Sequence, residues 1–331
     1  MTGSGAVPGV LAVDSGGSGL RALIAAPAGA AAARPGPLAS EEPVRTGLQG
    51  IDAGHLLEQL LPLARRLMAE SGIDSLAAVA VGAAGFATLG DELRAVLPSA
   101  LERELGVRRV VLAADALTAY TGALGPRPGA VIAAGTGLIA IGTDLTGWRR
   151  ADGWGHLLGD CGGGSWIGRA GLEAAVRAFD GRPGGSAALR ARAEAVFGPV
   201  PSLPGQLYAR ADRPAVLAGF APEVAACAAS DPVAEQILRT AARHMAESAA
   251  AVCPDGADAQ VALTGGLRGL GDPLLVPLAE ELAARLPHAR QVPAAGDPLH
   301  GAMLLAVDLA DGGLSLPEDR RMLYVVTGRT G

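Results

Sequence analysis

The sequence predicts an α/β protein built as two layered halves, and three observations carry that reading. First, three apolar runs each end in a glycine-rich turn. Leu11-Ala12-Val13-Asp14 leads into Ser15-Gly16-Gly17-Ser18, Val131-Ile132-Ala133-Ala134 into Gly135-Thr136-Gly137, and Val261-Ala262-Leu263-Thr264 into Gly265-Gly266-Leu267. Second, a succession of glycine-turn hairpin, helix, strand and helix occurs twice, as layered α/β domains require. Third, 331 residues suffice for two such domains, each with its own core.

The elements follow in order. Apolar runs at 10–13 and 20–25 flank the first turn and predict a β-hairpin. The stretch 28–45 is small, proline-containing and irregular. From Asp52 to Glu70 apolar residues recur at helical spacing (Leu56, Leu57, Leu60, Leu61, Ala64, Leu67, Met68), with Asp52 as N-cap. Residues 76–82 read as a buried strand ending in Gly82-Ala83-Ala84-Gly85, 92–105 as a helix, and 109–113 as a strand running into Asp115. A second hairpin is expected over 130–134 and 138–142. Helices are expected over 167–179, 187–196, 214–229 and 232–252, a strand over 261–264, and helices over 274–286 and 299–309. The expected first lobe is 1–116 and the second 117–310, with the tail 311–331 packing back on the first.

Composition narrows the class. The net charge is −6 with acids and arginines interspersed, which argues against a nucleic-acid partner. Apolar stretches are broken before they reach membrane-spanning length, and no signal-peptide pattern opens the chain, so a cytoplasmic protein is expected. The three cysteines (Cys161, Cys227, Cys253) are widely separated and form neither a disulfide framework nor a zinc pattern. There is no lysine and no asparagine, so no site can use either.

Glycine turns at strand ends let backbone N–H groups approach a phosphate or nucleoside closely. Any one of these turns also suits an ordinary hairpin. Three in this order, with an acid in the first, point to a nucleotide held between two lobes. Without lysine, backbone amides and a cation such as Mg²⁺ must neutralise the phosphates. Asp14, at a strand end beside the first turn, suits the metal. Ser15, Gly16, Gly17 and Ser18, with Gly135, Thr136 and Gly137, suit the phosphates.

These residues resemble the sugar-kinase branch of the actin-like ATPase superfamily. They are similar in particular to N-acetylglucosamine kinases and the related benzoyl-CoA-reductase-activator ATPases, and the resemblance covers nearly the whole chain. Its most specific segment is Gly153-Trp154-Gly155-His156-Leu157-Leu158-Gly159-Asp160-Cys161-Gly162-Gly163-Gly164-Ser165-Trp166-Ile167-Gly168. The family usually has Glu where Cys161 stands and Tyr where Ser165 stands. The resemblance implies a two-lobed, ribonuclease H-like fold around a nucleotide cleft, with ATP and Mg²⁺ as cofactors and a homodimer. It makes Asp115 the base that takes the proton from the sugar's primary hydroxyl; helix N-cap is that residue's structural alternative. Thr136, Trp154, Gly155, His156 and Asp160 become sugar-binding, and Gly265, Gly266 and Leu267 adenosine-binding.

Several neighbours have plainer expectations. Trp154 either stacks on a sugar or anchors the core. His156 makes a structural hydrogen bond, Asp152 faces solvent, and Cys161 fills space. Gln206 and Arg210 lie on the surface, and Asp297 and His300 shape the start of the last helix. The missing Asn, which N-acetylglucosamine kinases place on the sugar, and the acidic pair Asp115 and Asp160 favour free glucosamine as acceptor, phosphorylated at the 6-hydroxyl. N-acetylglucosamine comes second and glucose third. Alternatives of another class are a regulatory ATPase of the reductase-activator type, which carries a cysteine-held iron–sulfur cluster, and a sugar sensor.

Overall fold

The computed structural model describes residues 8–17, 19–26, 35–40, 42–47 and 50–328. Ser18, and residues 28–34 and 41 of the irregular stretch 28–45, lie outside the described residues. The chain divides into two compact units. One comprises 1–127, 145–148 and 294–331, the other 128–144 and 149–293.

The first unit is built on a six-stranded mixed sheet. Its strand order is Leu323–Thr327, Arg109–Ala114, Leu76–Ala83, Gly9–Gly16, Gly19–Ala25, Leu38–Ser40. Gly9–Gly16 and Gly19–Ala25 form the expected hairpin, closing at Gly16↔Gly19. The three central strands are parallel and finish level: Ser15 pairs with Ala83, and Ala83 with Ala114. Their residues are almost wholly buried, which explains continuous apolar runs rather than alternation. The helix Ala53–Ser71 begins as expected, with the Asp52 side chain accepting from the His55 amide. The tail strand Leu323–Thr327 runs antiparallel to Arg109–Ala114.

Two features of this unit differ from the sequence expectation. Arg109–Ala114 passes directly into a helix, Asp115–Leu124, whose residues from Ala116 onward are all buried. That helix and the last one, Pro298–Asp311, both belong to the first unit, so the boundary at 116 and the placement of 298–310 do not hold. Glycines explain the pairing. A Cβ at Gly301 would run into the Thr118 carbonyl, and one at Gly122 into the Asp297 carbonyl. Two helices without these side chains approach backbone to backbone.

The second unit has a five-stranded sheet in the order Trp148–Asp152, Leu138–Thr143, Gly129–Ala134, Gln260–Thr264, Arg290–Gln291. Gly129–Ala134 pairs antiparallel with Leu138–Thr143 and parallel with Gln260–Thr264. Helices Gly164–Phe179, Pro232–Val252 and Asp272–Arg285 contribute its core residues Ile167, Leu238, Met245 and Leu278. The helix expected over 214–229 is two short ones, Arg213–Ala218 and Ala221–Cys227. Pro222 sits in the first turn of the second, where its ring is tolerated and a continuous helix is not. Among the described residues no helix is long and apolar enough to cross a membrane.

Candidate active site

In the first unit the parallel strands deliver two acids to one edge of the sheet. Asp14 stands one residue before the end of pairing, level with Gly82, and Asp115 is the first residue beyond Ala114. The carboxyl ends of parallel strands are where α/β sheets bind ligands. Asp115 opens its helix, and its Oδ1 accepts from the Ala116 amide at 2.9 Å. The N-cap of this helix is Ala114, with no side-chain cap bond, so Asp115 is the first helical residue and not its cap. Burial pushes the Asp115 carboxyl up to about 6, the Ala116 amide opposes the shift, and the nearby Asp14 charge adds to it.

Asp14 is bound to a residue that the motif reading missed. Arg21 donates to Asp14 Oδ2 through NH2 at 2.6 Å and Nε at 3.3 Å, and through NH1 to Asp297 Oδ2 at 2.7 Å. Asp297 caps the last helix as expected, its Oδ1 accepting from the His300 amide. Burial alone would raise the Asp297 carboxyl, but the His300 amide and Arg21 outweigh it and hold it low. Arg21 thus ties the first glycine hairpin to the start of the last helix.

Asp14 also bears on the metal question. The bonds to Arg21 use Oδ2 alone. Among the described residues no cluster of three His, Cys, Asp or Glu could hold a metal unaided. One hard carboxylate oxygen beside a glycine turn would suit Mg²⁺, which keeps its waters and takes its other ligands from substrate phosphates. Asp14 is the residue that would hold it. Gly16 ends the strand and Gly17, exposed, begins the turn, whereas Ser15 is 4% exposed within the strand.

In the second unit the other two glycine turns lie side by side, because their strands are parallel neighbours with Thr264 opposite Ala133. Gly265 has φ +97, and a Cβ there would run into the Ala134 carbonyl, so only glycine fits. Thr136 is exposed at the tip of its turn. The helix Gly164–Phe179 begins against that turn, three residues earlier than its apolar pattern predicts, with the Gly164 amide donating to Gly135 O and the Ser165 amide to Thr136 O. Gly266 is exposed. Leu267 is not: at 6% exposure its side chain packs in the core, so any contact with a nucleotide would be through its backbone.

The glycine-dense loop after Trp148–Asp152 carries the remaining candidates. Asp160 Oδ1 accepts from the Gly155 amide at 3.1 Å. Its carboxyl lies against Gly137, where a Cβ would collide with it, and it also accepts from the Leu138 amide. Burial raises its pKa; the Gly155 and Leu138 amides and His156 oppose this, while Asp152 adds to it. Trp154 is 65% exposed beneath the Arg150 guanidinium, 4.3 Å from the ring centroid, so it is no core anchor. Trp154, Gly155, His156, Leu157 and Leu158 line a shallow recess. His156 Nε2 is buried without a hydrogen-bond partner, contrary to the structural bond expected of it, and so is the Ser165 hydroxyl.

Asp152 is the clearest correction. It does not face solvent. Oδ1 accepts from the Asp160 amide at 2.6 Å and Oδ2 from the Cys161 amide at 2.9 Å. Gln206 and Arg210 are surface residues as expected, the latter paired with Asp212.

These two units with their strand-end glycine turns define the fold of the actin-like ATPase superfamily. A candidate N-acetylglucosamine kinase from Chromobacterium violaceum superposes with a TM-score of 0.70 at 25% identity, over 92% of this chain and 99% of that one. A ROK-family glucokinase from Streptomyces griseus, solved with glucose and AMPPNP, gives 0.54 at 20% identity over 92% of this chain and all (100%) of that one, and shows the fold. The chain belongs to the BadF/BadG/BcrA/BcrD ATPase family, whose sequence profile matches residues 11–306. An N-acetylmuramic acid/N-acetylglucosamine kinase from Clostridium acetobutylicum is 32% identical over 112 residues, which is 33% of this chain and 36% of that relative's length.

Proposed function

We propose that the protein is an ATP-dependent amino-sugar kinase that transfers the γ-phosphoryl group of ATP to the 6-hydroxyl of a hexosamine. Asp115 carries the reading. A carboxyl raised by burial to about 6 is ionised at neutral pH, yet is a stronger base than a solvated aspartate. In this reading Asp115 takes the hydroxyl proton as the oxygen attacks phosphorus. The Gly16-Gly17 and Gly135-Thr136-Gly137 turns hold phosphate oxygens, Asp14 holds Mg²⁺, and Gly265 and Gly266 lie along the adenosine. Mg²⁺ would supply charge neutralisation for the phosphates. Asp160, Trp154, Gly155 and His156 contact the acceptor. The unpartnered His156 Nε2 and Ser165 hydroxyl support a polar ligand in that loop, since buried polar atoms normally have partners. A homodimer in the cytoplasm completes the reading.

N-acetylglucosamine is the first acceptor to expect, on the names of the relatives. Free glucosamine is the second reading, supported by the charge of Asp115 and Asp160, which favours an ammonium group. Both carboxyls also accept from backbone amides, at Ala116 and Gly155. A reductase-activator role finds little support in the cysteines. Cys227 and Cys253 are buried, and burial pushes the Cys253 thiol up to about 11, which disfavours the thiolate a cluster needs.

The test is product identity. The purified protein is incubated with Mg²⁺–ATP and N-acetylglucosamine, glucosamine or glucose, and products are read by mass spectrometry and ³¹P NMR. A 6-phosphorylated amino sugar is expected; the absence of any phosphorylated sugar overturns the proposal.

A further inference from the structure

We propose that Asp152 is a positioning residue that folds the acceptor loop and thereby holds Asp160 against the phosphate turn. The inference rests on the reading of Asp160 as acceptor-binding. One carboxylate uses both oxygens on two consecutive amides, those of Asp160 and Cys161. Asp160 in turn reaches back to the Gly155 amide. Each limb of the loop is therefore held by a carboxylate from the other, and the Gly163 amide, donating to Asp160 O, closes its end.

The backbone bears the mark of this arrangement. Among the described residues only Leu145, Asp152 and Asp160 adopt positive φ without being glycine; Asp152 has φ 59 and Asp160 φ 55. Such conformations cost free energy and persist where the surroundings over-determine them, often at functional sites. The close approach also requires Gly159, because a Cβ there would run into Asp152 Oδ1. The Asp160 carboxyl ends against Gly137, in the turn assigned to phosphate. Asp152 thus sets the distance between an acceptor ligand and that turn without touching either substrate.

Two variants test this. Asp152→Asn tolerates positive φ but presents an NH₂ donor to one of the two amides. Asp152→Gly relieves the backbone and removes both acceptors. Loss of a charged acceptor from a partly buried amide corresponds to about tenfold. In both variants amide exchange across 153–163 is expected to accelerate by about tenfold, and the acceptor KM to rise about as much, while the ATP KM stays within about twofold. Sugar titration followed by tryptophan fluorescence reads the same affinity loss without turnover. A purely structural residue would lower Tm and kcat and move both KM values alike. Unchanged loop exchange, or an unchanged sugar affinity in a loop that exchanges faster, overturns the proposal. Failure of the kinase reading is distinct: the wild type would phosphorylate none of the sugars.

Discussion

Replacing Asp115 by Asn separates activity from stability in opposite directions. The change is nearly isosteric, and Asn Oδ1 can still accept from the Ala116 amide, so the helix start is kept. Removal of a general base lowers kcat by about 10²–10⁴-fold. Stability moves the other way. The Asp115 carboxyl goes from an ordinary 3.8 to about 6 on folding. Between those values the folded state holds the proton and the unfolded state does not, so stability falls as pH rises through the interval and stays reduced above it. At about 1.4 kcal/mol per pKa unit the ceiling is about 3 kcal/mol. The partly buried Asn amide has its own desolvation cost, which leaves a gain of about 1–2 kcal/mol at pH 7.5. Urea midpoints at pH 7.5 and 4.0, alongside a coupled ADP-release assay, measure both effects. The variant is expected to be more stable than wild type at pH 7.5 and no more stable at pH 4.0. Near-normal turnover refutes the base assignment. A variant less stable than wild type at pH 7.5 refutes the desolvated, charged acid.

Other consequences are simpler to state. With the same carboxyl at about 6, kcat/KM should decline with single-proton slope as pH falls below about 6, and a flat profile down to pH 5 would argue against an ionised Asp115 as base. Gly301→Ala places a methyl group against the Thr118 carbonyl, which backbone cannot yield cheaply, so a loss of about 1–3 kcal/mol or more is expected in denaturant titration. Arg21→Ala removes bridges to Asp14 and Asp297 whose guanidinium is partly exposed, so the stability loss should be only about 1 kcal/mol; calorimetry showing a much larger loss would mean that the hairpin depends on Arg21 to fold.

Much of this architecture is legible locally. Glycine turns at the ends of apolar runs mark both hairpins, and Asp52 and Asp297 act as the N-caps that their positions announce. Arg21 was legible too, in retrospect: a hairpin closing at Gly16 and Gly19 puts residue 21 opposite residue 14. Its second partner was not, because Asp297 is 276 residues away. Asp152 gave no signal beyond an Asp-Gly pair, since its role depends on a loop that folds back eight residues later. Leu267 illustrates the converse. It completes a motif by spelling, yet the glycines before it turn the chain so that its side chain enters the core. The helix Asp115–Leu124 escaped a period-based reading because it is buried on all sides and shows no polar face.

The most direct measurement is sugar-dependent ADP release by the purified protein with Mg²⁺–ATP, comparing N-acetylglucosamine, glucosamine, mannosamine, glucose and no sugar. The account predicts strong stimulation by an amino sugar, N-acetylglucosamine foremost, over a low basal rate. Equal ADP release with and without every sugar would contradict it and leave an ATPase that drives something else.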